Sequence, residues 1–268
     1  MTEPGYNRTR EALITAAIVV GVLALWYLAA GILAAGDDPL ANSKLPYPHV
    51  IVERFFDDFS EVTSAAWTSL STALIGFAIG TAVGIVLSVI MVQAAWIESA
   101  VMPYLLAAQM VPMIALVPIS QTVFKNDTAT RLFIAAFITF FSVTVAVVRG
   151  LKAAPPPARE LMRSYNAGRL RTLRYLDLPA AMPMLFSGLR VAAPLSLVGS
   201  VLVDLMGGSQ GLGYLMLAAQ TFGPAQATLV WVAMFVLLAL GFLLAQAVVM
   251  AEKVLAPWQP AMRQGGGH

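Results

Sequence analysis

Long apolar runs recur along the sequence and constrain the fold more than any other feature. The first run has 24 residues and no charge, and a helix of about 20 apolar residues can cross the hydrocarbon core of a bilayer. Only 11% of all residues are charged, whereas soluble domains typically carry about 25%. The sequence therefore predicts an all-α membrane protein with six transmembrane helices. The predicted spans are residues 12–35, 67–93, 103–124, 132–148, 184–206 and 225–250.

The first run has an alternative interpretation as the apolar core of a cleaved signal peptide. The sequence LAAG before Asp37 resembles a cleavage site. The apolar core of a signal peptide, however, usually has only about 7–15 residues. We therefore interpret residues 12–35 as a retained first helix.

Basic residues are distributed unevenly between the two sides that six spans define. If the amino terminus is cytoplasmic, eleven of the sixteen Lys and Arg residues lie in inner segments and four in outer segments, with Arg190 inside the fifth span. Lys and Arg accumulate in the cytoplasmic segments of membrane proteins. This distribution predicts cytoplasmic termini and a cytoplasmic loop at residues 149–183.

The longest basic and polar segment between the apolar runs is residues 155–179, PPPARELMRSYNAGRLRTLRYLDLP. Its three leading prolines suit the first turn of a helix, because proline lacks the N–H group that would have no partner there. We predict a first short helix at about residues 158–165 and a turn at residues 166–168, where Asn and Gly readily adopt positive φ. A second short helix with leucines at spacing three would follow and end at Leu178-Pro179.

The spacing of this segment resembles the cytoplasmic loop of ABC importer permeases, which opens with Glu-Ala-Ala, has glycine at the seventh place and ends with Leu-Pro at the twentieth. Glu160 matches the first place, and Leu178-Pro179 match the last two. Leu161-Met162 replace the two alanines, and Asn166 stands where glycine is expected. Asn is a common non-glycine residue in the left-handed region, so the bend can be kept.

Other stretches extend the resemblance over about residues 45–258. Residues 178–195, LPAAMPMLFSGLRVAAPL, and residues 207–215, GGSQGLGYL, are similar to permeases of the nitrate/sulfonate/taurine type. Residues 159–165, RELMRSY, and residues 111–119, VPMIALVPI, favour the branch associated with pyrimidine-type vitamin precursors and riboflavin.

This resemblance implies a type I ABC importer permease fold, with residues 1–268 forming one transmembrane domain in the inner (plasma) membrane. It implies a second permease copy or paralogue, ATPase subunits that hold ATP and Mg, and an extracytoplasmic binding protein. The chain itself would bind no cofactor and catalyse no reaction. The substrate would be a small polar or anionic solute, nitrate-, sulfonate- or taurine-like or a pyrimidine-type vitamin precursor.

The resemblance also assigns a role to the basic loop, whose two short helices would bind the ATPase and transmit its motion to the spans. We expect eight residues to carry this coupling. They are Glu160, Arg163, Asn166, Gly168, Arg171, Arg174, Leu178 and Pro179.

Candidates for the translocation path come from polar or helix-breaking residues inside the spans. The third run contains Pro112 and Pro118, where bends and unpaired carbonyls are expected. Gln109 in this run could line a path or belong to a kink packed against its neighbours. Arg190 lies about 10 Å from the cytoplasmic end of its span, within reach of snorkelling, so a structural role is the alternative. The candidates are Gln109, Pro112, Met113, Arg190 and Asp204.

Two further patterns predict helix contacts. Gly76, Gly80 and Gly84 recur every four residues, which lets another helix approach closely, either from this chain or from a second copy. Apolar residues at positions 52, 55, 56 and 59 predict a helix lying in the membrane interface, which anchors a loop or serves in partner docking.

Several classes of function are excluded by what the sequence lacks. The chain has no cysteine and two histidines, so we expect no disulfide and no metal site. The motifs HExxH and GxSxG are also missing, so we expect no catalytic residues. The basic residues flank membrane spans and do not form one patch, so nucleic acid is not an expected partner. GGSQGLG lacks the preceding strand and the lysine of a nucleotide-binding loop. A secondary transporter or channel without an ATPase is the alternative, but Asp204 is the one acid expected to be buried.

Overall fold

The computed structural model describes residues 8–36, 44–223 and 226–256, and the regular structure within these ranges is helical. Five helical segments are long and apolar enough to cross a membrane, and a sixth span results if one bent pair is counted as a single crossing. The fold class predicted from the sequence is therefore confirmed. The helices are α1 (Arg8–Ala34), α2 (Pro48–Asp57), α3 (Phe59–Gln93), α4 (Ala95–Ala108), α5 (Met113–Phe124), α6 (Asp127–Leu151), α7 (Pro156–Ser164), α8 (Arg169–Thr172), α9 (Leu178–Leu205), α10 (Leu212–Thr221) and α11 (Ala227–Leu255).

The described residues belong to two compact units, which we treat separately. The first comprises residues up to Val62 together with Leu215–Met234, and the second comprises Thr63–Tyr214 together with the residues from Phe235 onwards. That the whole chain acts as a single permease domain stays a prediction.

In the first unit, one end of α1 is fixed to the segment before α2. The indole Nε1 of Trp26 donates a hydrogen bond to the carbonyl of Pro46 at 3.0 Å. The hydroxyl of Tyr27 lies 3.0 Å from Nδ1 of His49. The His49 ring stacks on the rings of Tyr27 and Tyr47, which are themselves tilted relative to each other. Polar contacts near the end of the first span therefore hold the following segment in place.

The interfacial helix predicted around residues 52–59 is interrupted. Helix α2 ends at Asp57, Asp58 forms a break, and Phe59 already belongs to α3. The ring of Phe55 contacts those of Phe56 and Phe59 at 5.4 and 5.5 Å between centroids. The apolar residues thus lie on two helices, α2 and α3. Helix α3, which contains the second predicted span, begins at Phe59 instead of at residue 67.

The third predicted span, residues 103–124, is two helices that meet at an angle of 97°. Helix α4 begins at Ala95, and the chain breaks between Ala108 and Met113, where Pro112 is extended. Proline lacks the N–H group and clashes with the preceding turn, which explains the break at this position. Pro118, in contrast, lies inside α5, which continues to Phe124, so the interruption expected at Pro118 is not seen.

The fourth span is longer than predicted. Helix α6 has 25 residues, whereas the apolar run alone suggested residues 132–148. The side-chain oxygen of Asn126 accepts a hydrogen bond from the N–H group of Ala129 at 2.9 Å. Such an N-cap stabilises a helix start among polar residues, so α6 begins before its apolar part. The ends of the first, fifth and sixth predicted spans differ from those of the corresponding helices by a few residues. These helices are α1 (Arg8–Ala34), α9 (Leu178–Leu205) and α11 (Ala227–Leu255).

Helix α6 forms the centre of the second unit because small residues let α3 and α9 approach it. A Cβ atom added to Gly80 of α3 would lie 2.7 Å from Cβ of Thr139, which shows how closely the two helices pack. On the α9 side, a Cβ atom on Gly188 would lie 2.6 Å from Cβ of Ala146. The helix that the glycines of α3 contact is thus in this chain.

The second short helix of the basic loop does not end at Leu178-Pro179. Helix α8 continues through a π-helical turn (Leu173–Asp177) into α9, and the N–H group of Leu178 bonds to the carbonyl of Leu173. The ring of Pro179 would clash with a carbonyl of a regular α-helix, and the wider turn relieves this clash. Because α6 runs to Leu151, the predicted loop at residues 149–183 contracts to residues 152–177. We call residues 152–177 the elbow.

Candidate functional site

The elbow presents apolar side chains to its surroundings. Helix α7, at Pro156–Ser164 instead of the predicted residues 158–165, has no buried residue. Leu161, Tyr165 and Leu170 are 55, 74 and 76% exposed. The leucines predicted at spacing three therefore do not share one environment. Leu170 is exposed, whereas Leu173 is buried against the spans.

Charged side chains surround these apolar residues. Arg163, Arg171 and Arg174 are exposed, and so is Glu160. The guanidinium carbon of Arg174 lies 5.9 Å from the ring centroid of Tyr175. An exposed surface that combines cations with apolar side chains is suited to a protein partner that carries acidic groups.

The bend between α7 and α8 depends on Asn166. Asn166 has φ of 52°, in the left-handed region. Its N–H group bonds to the carbonyl of Arg163, and the N–H group of Ala167 bonds to that of Met162. This pair of bonds is the Schellman arrangement that ends many helices. Gly168 has φ of −65° and precedes α8 in extended conformation, so the positive φ expected of Gly168 does not occur.

One residue that the sequence reasoning missed, Arg159, ties the elbow to the spans. Its Nη2 donates to the carbonyl of Leu151 at 2.9 Å and lies 2.9 Å from Oδ1 of Asp177. The Asp177 side chain is 9% exposed. Only two acids, Glu160 and Asp177, lie among the arginines of this polar loop, and this scarcity is the feature of the sequence that could have indicated that one of them is paired.

A second cluster lies at the opposite end of α6 and α9. Nε of Arg131 lies 2.5 Å from Oδ1 of Asp204, and both side chains are almost fully buried. Ser69 donates to the other carboxylate oxygen at 3.0 Å and accepts from the N–H group of Leu212. Nη2 of Arg131 donates to the carbonyl of Gln210 at 2.8 Å. Asp204 thus belongs to a buried network that joins α3, α6, α9, the start of α10 and the loop between the last two.

The glycines of GGSQGLG are required by this network. Gly207 and Gly211 have positive φ of 111° and 97°. A Cβ atom added to Gly208 would lie 2.8 Å from Cα of Asp204. Residues 207–211 therefore form a tight loop around the carboxylate, and α10 follows directly. The side chain of Asp127 also holds this loop, because it accepts two hydrogen bonds from Ser209.

Arg190 pairs with an acid instead of reaching towards the membrane surface. Its Nη2 forms an ion pair with Glu252 of α11. Glu252 is 6% exposed and Asp177 is 7% exposed, so the expectation that Asp204 is the one buried acid is wrong. The sequence alone could not show these partners because they lie on helices far apart in the chain.

The five candidates for a translocation path lie at three separate places. Gln109, Pro112 and Met113 are at the break between α4 and α5, where the first two are exposed. Arg190 pairs with Glu252, and Asp204 with Arg131. The described residues contain no group of His, Cys, Asp or Glu that could hold a metal ion.

Comparisons with known proteins place the chain among transport proteins. Residues 52–253 match the family described as binding-protein-dependent transport system inner membrane component. The formylaminopyrimidine transport permease protein ThiX of Halalkalibacterium halodurans is 32% identical over 259 residues, which cover 94% of this chain and 98% of the relative.

More distant relatives are also named as permeases of transport systems. The riboflavin transport system permease protein RibX of Chloroflexus aurantiacus is 28% identical over 80% of both chains. The putative aliphatic sulfonates transport permease protein SsuC of Escherichia coli is 27% identical over 90% of both. Among solved structures, an amino acid ABC transporter crystallised with histidines has a similar fold, with a TM-score of 0.60 and 14% identity over 76% of this chain and 97% of that one.

Proposed function

We propose that the elbow is the surface on which a separate ATPase subunit docks. The chain belongs to the family of binding-protein-dependent transport system inner membrane components and is a permease subunit of an ATP-driven importer. The observation that carries this proposal is the exposure of the elbow. Helix α7 has no buried residue, and the arginines and apolar side chains of the elbow lie next to one another. Family membership supports a transporter that works with an ATPase over the alternative of one without.

In this proposal ATP and Mg bind to the ATPase subunit, and the permease carries out no chemical step. Exposed cations of the elbow meet acidic or backbone acceptors of the ATPase, while Leu161 and Leu170 lose their solvent-exposed surface in the contact. A second permease copy or a paralogue completes the pathway in the lipid bilayer, and an extracytoplasmic binding protein delivers the solute.

The elbow must face the cytoplasm for this assembly. The excess of Lys and Arg on that side supports the orientation. The ion pair between Lys152 and Glu98 is consistent with this topology, since it joins two segments that six spans assign to the same side of the membrane. Cytoplasmic termini are part of the same proposal, and the inner membrane is supported by the description of the matching family as an inner membrane component.

For the substrate we propose a pyrimidine-type vitamin precursor. The support is the relative named as a formylaminopyrimidine transport permease, which is 32% identical over 94% of the chain. A nitrate- or sulfonate-like anion is the competing class, since relatives at 27% identity or less carry such names. Uptake by proteoliposomes of the complete importer, measured with radiolabelled pyrimidine precursor, alkyl sulfonate and nitrate, distinguishes the classes.

The docking proposal is tested by purifying the tagged permease from its native membrane in mild detergent. We expect an ATPase at about equal stoichiometry. Arg171→Glu and Arg174→Glu should each reduce the recovered ATPase, because reversing a charge at a complementary contact costs several kcal/mol. Lys125→Glu, an exposed charge reversal outside the elbow, is the control. Equal recovery with the arginine variants and the control would show that the elbow is not the docking surface.

A further inference from the structure

We propose that Arg159 is a positioning residue that connects the docking helix α7 to two membrane helices at once; this rests on the proposed docking of an ATPase on the elbow. Arg159 lies in the middle of α7, which has no fully buried residue. Its Nη2 is 2.9 Å from the carbonyl of Leu151, the last residue of α6. The same nitrogen is 2.9 Å from Oδ1 of Asp177, which directly precedes α9.

The chemistry of the two acceptors explains why arginine is needed. Nη2 donates a hydrogen bond to the carbonyl of Leu151, and the positive charge of the same guanidinium lies 2.9 Å from the carboxylate of Asp177 as an ion pair; arginine supplies both the donor and the permanent charge. The carboxylate of Asp177 is largely removed from water, and a buried carboxylate without its cation is costly. The pair therefore holds α7 more firmly than an exposed surface ion pair would.

The location of Asp177 is the second part of the argument. Asp177 is the last residue of the π-helical turn between α8 and α9. π-Helical turns are local irregularities at which a helix bends, and they are frequent at functional sites. A force that reached α9 only through α8 could be absorbed by bending at this turn. Arg159 bypasses the turn, because it contacts Asp177, the residue at the end of the turn that adjoins α9.

Helices α6 and α9 are built to move together once they are displaced. Near the elbow, a Cβ atom on Gly150 would lie 2.9 Å from Cα of Ala181, so the two backbones are in close contact. At the other end, the buried pair of Arg131 and Asp204 joins the same two helices. Tightly packed interiors shift as rigid bodies instead of deforming continuously. A displacement of α7 therefore reaches the loop around Asp204.

The first experiment measures coupling in the complete importer, reconstituted with its ATPase and binding protein. We expect Arg159→Ala to keep ATPase association and basal ATP hydrolysis. The stimulation of hydrolysis by loaded binding protein should fall by about fivefold or more, the scale of a typical coupling free energy. Lys152→Ala is the control, since it breaks the ion pair of the elbow with Glu98 without touching α7.

The second experiment needs no ATPase and separates failure of this proposal from failure of the docking proposal. The chain has no cysteine, so spin labels can be placed at Ser164→Cys on α7 and Ser187→Cys on α9, both exposed. The distance distribution between the labels should be narrow in the parent and in Lys152→Ala. It should broaden in Arg159→Ala and in Asp177→Asn, which keeps the shape of the side chain.

An unchanged label distribution in both variants overturns the proposal, whatever the assembly does. Loss of ATPase association in Arg159→Ala to the extent seen for Arg171→Glu would also overturn it, because Arg159 would then belong to the docking surface. If Arg159→Ala fails to fold, Asp177→Asn alone decides. Normal stimulation with that variant would leave the ion pair no role in coupling.

Discussion

Arg131 and Asp204 face each other across α6 and α9 with both side chains almost completely buried. Ser69 and the loop at residues 207–211 complete the hydrogen bonds around them. A buried charge that loses its partner is strongly destabilising, whereas an intact pair contributes less than its geometry suggests. The value of this pair to the protein is therefore that it joins α3, α6, α9 and the glycine loop in one arrangement.

Asp204→Asn should lower the stability of the folded permease by about 3–5 kcal/mol, because it leaves the buried guanidinium of Arg131 without its counter-ion. The measurement is thermal unfolding in detergent. Asp58→Asn is a matched control, since its pair with Arg54 is partly exposed and should contribute at most about 1 kcal/mol. Equal melting temperatures for the two variants would contradict the role of the buried pair.

Gly80→Leu should destabilise the permease far more than Ile79→Leu. A side chain at Gly80 would collide with α6, where Thr139 Cβ is 2.7 Å from the added Cβ position, whereas Ile79 is 47% exposed. The expected cost at Gly80 is at least the roughly 1–3 kcal/mol of overpacking a core. Thermal unfolding and the recovered folded fraction provide the measurement, and similar values for both variants would show that α3 can move away from α6.

The sequence predicted those features that arise from local patterns. Apolar runs predicted the five long membrane helices and the apolar character of the bent pair α4 and α5. The spacing of Gly76, Gly80 and Gly84 predicted a close helix contact, and Asn166 was expected to take the glycine position of the bend. Each depends on the conformation or polarity of a few neighbouring residues. Length and periodicity are sufficient for such features.

Features that depend on distant residues could not be predicted in this way. Arg131 was assigned to an outer segment, yet it is buried because Asp204, 73 positions away, neutralises it. Leu178-Pro179 was expected to end a helix, yet a π-helical turn accommodates the proline. The partner of a buried charge and the local widening of a helix both depend on tertiary packing. A single sequence does not show which residues pack together.

Asn166 and Gly168, the two residues at the bend of the elbow, should differ in their sensitivity to substitution. Asn166→Pro should uncouple ATP hydrolysis from transport, because proline cannot adopt the φ of 52° found there. Gly168→Ala should have no effect, since its φ is −65° and no atom lies within 4 Å of an added Cβ. Stimulated ATP hydrolysis and uptake in proteoliposomes test both. A loss of coupling in Gly168→Ala would mean that a partner fills the space beside it.

Cysteine labelling tests the orientation on which the docking proposal depends. The native chain has no cysteine, so a single introduced thiol reports one position. Lys125→Cys should react with a membrane-impermeant maleimide in intact cells, because the excess of basic residues on the other side places Lys125 outside. Arg171→Cys should react only after the membrane is opened, although Arg171 is exposed in the structure. Reaction of Arg171→Cys in intact cells would invert the topology, and the elbow could then not meet an ATPase that draws ATP from the cytoplasm.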